Sequence, residues 1–193
     1  MRYVLVLLMC VFSFSGCMPF WVWDYYSPGA SDGTVTKSTC QRSVGPPDRL
    51  QIVRNEVVIG VTASEVKDGV LISIEIEIPA GKDVQLKKPF VIVSTPLLKE
   101  SFSGTLKHAD INNSFPLDIN EQFIGGTREQ KLFFGQTRTI YNTYMLRANV
   151  SMPRSKLIKI ILPELYINNE EMLLPEMTFS KDKYLEFFVP INC

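Results

Sequence analysis

The 193-residue sequence predicts an all-β protein, built as an antiparallel β-sandwich. Three observations lead there. From residue 40 onward the apolar residues recur with a period of two, the spacing of a half-buried strand. Glycine and proline punctuate these runs at short intervals. No stretch beyond residue 40 carries the i, i+3, i+4, i+7 apolar stripe of a packed helix. About eight to ten short strands fit this pattern, which suits a sandwich of immunoglobulin-like kind, with a small β-barrel as the alternative.

Ile72, Ile74, Ile76 and Ile78 alternate with Ser73, Glu75 and Glu77, the cleanest amphipathic strand in the chain. Val57, Ile59 and Val61 form a similar face upstream, and Lys67-Asp68-Gly69 supplies the hairpin turn between the two. Pro79-Ala80-Gly81-Lys82 ends the second strand. Val84 and Leu86, then Phe90 to Val93, give two more short strands, broken at Pro89 and closed at Pro96. Residues 101–108 read as a further strand.

Residues 109–131, rich in Asn, Asp, Gly and Gln, are the least patterned. They read as a long loop with a helical turn at Pro116-Leu117-Asp118 and a bend at Gly125-Gly126, and loops of this length are often functional. Alternation resumes with Tyr144, Leu146, Ala148 and Val150, and continues after Pro153 with Ile158, Ile160 and Leu162. Leu162-Pro163-Glu164 is echoed by Leu174-Pro175-Glu176 around a turn at residues 168–171, which predicts a hairpin pairing 165–167 with 172–174. Leu185, Phe187, Val189, Ile191 and Cys193 share one parity, so the last strand is expected to aim Cys193 inward.

The chain carries 20 basic and 20 acidic residues. Such a balance argues against a nucleic-acid partner, which demands a basic face. The first residues, MRYVLVLLMCVFSFSGC, have a positive start, an apolar run of about a dozen residues and small residues before a cut, the parts of a secretory signal. The run is shorter than the roughly 20 residues a membrane-spanning helix needs.

Phe14-Ser15-Gly16-Cys17 resembles the lipobox of bacterial lipoprotein precursors, with Phe14 where that family usually has Leu. A plain signal-peptidase cut nearby is the alternative left by this departure. The resemblance implies that residues 1–16 are removed, that Cys17 is acylated, and that the mature chain is held on a membrane by its lipid. Met18, where inner-membrane lipoproteins tend to have Asp, implies the outer membrane of a Gram-negative cell with the domain facing the periplasm. Residues 17–39 then read as lipidated N-terminus and tether, and 40–193 as one β-domain. The aromatic stretch Phe20-Trp21-Val22-Trp23-Asp24-Tyr25-Tyr26 fits the headgroup region beside such an anchor, or equally an edge strand folded back on the domain. With Cys10 lost in the leader and Cys17 lipidated, Cys40 and Cys193 remain as a pair that an oxidising compartment is expected to bridge. A loop of roughly 150 residues closed this way contributes about 5 kcal/mol in the chain-entropy account.

Catalytic signals are sparse. His108 is the single histidine, and no nucleophile motif accompanies it. Glu75 and Glu77 share a strand face, a spacing that could serve a cation or an acid/base pair but ordinarily marks a solvated outer face, while Glu170-Glu171 reads as a solvated turn. Lys82, Lys87 and Lys88 make a modest basic patch, and no phosphate-cradling glycine motif or metal-ligand cluster is present in the sequence. The expectation is therefore a protein without cofactor, metal or catalysis: a lipid-anchored envelope protein that binds a protein partner through 109–131 and the Phe20–Tyr26 aromatics. A structural spacer is the second reading, and a hydrolase of envelope glycan or ester substrates the third.

Overall fold

The structure, a computed structural model, describes residues 21–38, 45–96, 98–109, 114–118, 121–131 and 136–186. Those residues form antiparallel sheets in two layers, as a sandwich, and the sheets do not close into a barrel among them. The first layer contains β2 (Thr34–Thr36), β3 (Arg49–Arg54), β4 (Val57–Val66), β5 (Gly69–Ile78), β9 (Lys107–Ala109), β10 (Ser114–Pro116) and β13 (Thr137–Ser151). They pair in the order β10-β9-β13-β5-β4-β3-β2, and β12 (Thr127–Lys131) pairs with the start of β13.

The second layer is split. One part holds β1 (Trp21–Ala30), β7 (Phe90–Thr95), β8 (Glu100–Thr105), β14 (Leu157–Ile161) and β17 (Met177–Glu186), ordered β1-β17-β14-β7-β8. The other holds β6 (Asp83–Leu86), β11 (Gln122–Ile124), β15 (Leu165–Ile167) and β16 (Glu170–Met172), ordered β11-β6-β15-β16. The chain passes between the parts from β6 to β7, from β14 to β15 and from β16 to β17, across Pro89, Pro163 and Pro175 respectively. A proline has no N–H for the ladder, so each crossing interrupts the pairing. The Lys87 N–H donates to the Glu164 carbonyl at 3.1 Å, carrying the β6–β15 ladder one residue further toward this line.

Period-two alternation makes the core. Ile72, Ile74, Ile76 and Ile78 are buried with Ile59, Val61, Leu146 and Val150 in one cluster that includes Val91, Val93, Ile158, Ile160 and Phe179 from one part of the facing layer. Val84, Leu86, Phe123, Leu165 and Ile167 from the other part complete it. Two hairpins turn on two residues in the left-handed region, Asn55-Glu56 (φ 46° and 69°) and Asn168-Asn169 (φ 50° and 66°). This is the backbone twist a tight hairpin needs.

Four expectations are corrected. Residues 21–36 are not a tether: β1 pairs with β17 along its whole length as an edge strand, and β2 pairs with β3, so the fold begins well before residue 40. The ten residue pairs of β1 outweigh the local Ser-Pro-Gly composition that suggested a linker. The described residues of 109–131 are not one long loop, for they contribute β10, β11 and β12, and Pro116 ends β10 rather than opening a helical turn. The 165–167 strand pairs with 170–172, not 172–174, because its turn has two residues. Leu185 shares the parity of buried Met177 and Phe179, yet it is exposed, because β17 has by then run past the core.

Register also gives the molecule two ends. The turns at 55–56 and 168–169 and the pair Ile78↔Asn142 lie at one end; the 67–68 turn, the pair Gly69↔Ser151 and the 152–156 connection lie at the other. With β5 spanning ten residues, the ends are about 30 Å apart at about 3.3 Å per residue.

Candidate functional site

Cys17, Cys40 and Cys193 lie outside the described residues, as do the lipobox and the leader. Among the described residues nearby in the sequence, Lys37 Nζ sits 5.7 Å from the centroid of the Tyr184 ring. Among the described residues no helix is long and apolar enough to cross a membrane.

His108 is half-buried, opposite Leu146 in the β9–β13 register. Its Nε2 lies 2.5 Å from Glu121 Oε1, and its ring meets Phe123 edge-on at 5.7 Å between centroids. Phe123 meets Tyr144 in the same way at 5.0 Å. This is a packed stack pinned by one side-chain hydrogen bond. Its sequence neighbourhood held no sign of Glu121, which arrives from the segment read as loop.

Glu75 and Glu77 do receive a cation. Arg49, with its side chain 5 % exposed, reaches from β3 over Gly60 of β4 to pair with Glu75 and, at 3.6 Å, with Glu77 of β5. A Cβ on residue 60 would overlap the guanidinium, so glycine is what lets the arginine lie flat on the sheet. Arg49 Nε and Nη2 have no hydrogen-bond acceptor among the described residues. Glu170 and Glu171 are exposed. Lys82 pairs with Glu56 at 3.6 Å. Lys87 pairs with Glu164 at 2.9 Å and donates to Tyr166 Oη at 3.3 Å. The Glu164 hydrogen bond raises the Lys87 pKa, and the same bond lowers that of Glu164.

The outer face of the first layer carries a row that sequence order hides. Arg49, Thr62, Ser73, Arg147 and Lys107 are successive cross-strand partners on β3, β4, β5, β13 and β9. At about 4.8 Å per strand the row spans roughly 19 Å. Lys107 and Arg147 are directly opposed like charges at one end of it. They line a groove of about 580 Å³ with Ser103, Thr105, Ser114 and Asn149.

Two exposed ribbons leave opposite ends of the sandwich. At the 55–56 end, β12 and residues 137–141 of β13 form an arm, in the register Thr127↔Tyr141 to Lys131↔Thr137. Pairing of β13 with β5 begins at Asn142, so the arm stands beyond the sheet. All five residues of β12 are exposed, and Thr137, Arg138, Thr139 and Tyr141 as well. Arg128, Lys131 and Arg138 against Glu129 make the arm cationic. At the 67–68 end, residues 181–186 of β17 run past β14 and pair with β1 alone among the described strands. Val22 lies opposite Leu185, and Trp23 opposite Tyr184. Behind this tip Glu65 binds both Arg154, at 2.8 Å, and Lys181. The hydrogen bond from Lys181 is the main cause holding the Glu65 carboxyl below its usual range, and it raises Lys181. Tyr26, whose hydroxyl donates to the Ser155 carbonyl at 2.8 Å, has its pKa raised mainly by burial.

No protein-family model matches the chain, and neither a curated protein nor a solved structure matches it.

Proposed function

We propose that this chain is a lipid-anchored, non-catalytic binding protein of a bacterial envelope, held through Cys17 on the periplasmic side of the outer membrane, whose arm engages a protein partner. The observation that carries the binding reading is the arm. A two-stranded ribbon alone is marginal in water, and this one leaves nearly all of its residues exposed on its own domain. Both its edges lack a further strand among the described residues, which suits addition of a partner's strand. Its excess of Arg and Lys favours an acidic partner segment. The anchor reading is supported by the lipobox resemblance and by Trp21 starting β1 four residues after Cys17.

Thr127 and Tyr141 are direct partners, so an Asn-Gly turn can replace residues 128–140 without disturbing the sheet. Photo-crosslinkers at positions 129 and 138 of the full chain, in membranes, are expected to trap a partner in a defined complex that the shortened chain no longer copurifies. A partner retained by the shortened chain would contradict the assignment.

A further inference from the structure

Near its end, the β1–β17 ribbon carries apolar side chains on both faces, one residue pair short of the terminal Trp21↔Glu186 and with Lys37 over the Tyr184 ring. Val22 and Leu185, 55 % and 47 % exposed, face each other on one side, and Trp23, 38 % exposed, pairs with Tyr184 on the other. A ribbon in water ordinarily shows at least one polar face, since alternation sends successive side chains to opposite sides. One residue pair further in, the character changes. Asp24, Arg154, Lys156, Lys181, Asp182 and Lys183 line a groove of about 600 Å³, four cations against two anions, with Arg154 and Lys181 already held by Glu65. An apolar tip behind which basic groups gather is the order met on passing outward from acyl chains to phosphates.

We infer that this tip is a membrane-interface contact, seated in the headgroup layer of the bilayer that holds the lipid of Cys17. The inference rests on the lipid-anchor reading. Cys17 and Trp21 are separated by Met18, Pro19 and Phe20, a span of at most about 14 Å when fully extended. The tip therefore stays beside the interface, where exposed Val22, Trp23 and Leu185 and half-buried Tyr184 lose water contact and Lys156 and Lys183, the groove cations not held by Glu65, meet lipid phosphate. An edge strand and an interfacial aromatic cluster are then the same element.

Trp21 and Trp23 are the two tryptophans of the chain, and both lie on β1, so tryptophan emission reports on this ribbon alone. The lipidated full chain is reconstituted in phosphatidylethanolamine–phosphatidylglycerol vesicles, with ordinary or brominated acyl chains. A second protein carries a long Gly/Ser insertion between Phe20 and Trp21. The inference expects quenching by brominated lipid in both proteins. Quenching lost in the insertion variant would mean that the anchor merely holds the tip nearby, and would overturn it. An acylated protein that floats with vesicles but is not quenched overturns the interface contact and leaves the anchor standing. A chain that carries no lipid and does not float ends both readings.

Discussion

Arg49 lies against the sheet with its guanidinium between Gly60 and two carboxylates, and three strands supply these groups. A buried cation that loses its partner costs far more than the intact pair contributes, about 3–5 kcal/mol. Gly60→Ala places a methyl group where the guanidinium sits, so it should lower the unfolding free energy by about 3 kcal/mol, read from urea denaturation. An unchanged midpoint would mean the arginine finds an equivalent position. Here the sequence was half legible. Glu75 and Glu77 at alternate positions announce a shared face, but the cation is 26 residues away from Glu75 and joins it through β4. Likewise the opposed Lys107 and Arg147 are 40 positions apart and become neighbours through register alone.

The elements show where local pattern speaks and where it is silent. Glu65 at the end of β4 ties the ribbon to the sandwich through Lys181 and Arg154. Its depressed carboxyl contributes stability above the ordinary carboxylate range, lost as pH falls through the folded value. Lys181, raised, contributes below the ordinary lysine range, lost as pH rises through its folded value. The difference in thermal midpoint between the wild type and Glu65→Gln should therefore be largest between about pH 5 and pH 10 and shrink outside that window. A difference independent of pH would contradict the ion pair. Strands with clean alternation, such as β5, β13 and the β4–β5 hairpin, are plain in the sequence because each buries one face locally. The strand β1 is not, since Ser27, Pro28 and Gly29 suggest a linker and its order comes from β17, some 150 residues on. Strand β11 fails for the same reason, being held by β6, while β10 and β12 pair with their neighbours β9 and β13 and escape notice because they are short and lack buried alternation. The prolines at 89, 163 and 175 were legible as breaks, but not as the single line along which a whole layer divides.

At the scale of the molecule, the two ribbons give the sandwich a direction. The β1–β17 tip, where the chain comes from Cys17, leaves one end, and the arm leaves the other, about 30 Å of sheet away. On the proposed anchoring, which sets the tip at the bilayer, the arm would project toward the periplasmic space, clear of the headgroups and open to a partner. An anchor of several acyl chains makes such an attachment effectively permanent. The whole account therefore turns on Cys17. The most direct test is the intact mass of the mature protein from membranes, beside a Cys17→Ser variant. The account expects a chain from Cys17 to Cys193 carrying acyl groups, two hydrogens lighter for the Cys40–Cys193 bridge, with the acyl mass lost in the variant. An unacylated chain, cut elsewhere or still bearing residues 1–16, would contradict it.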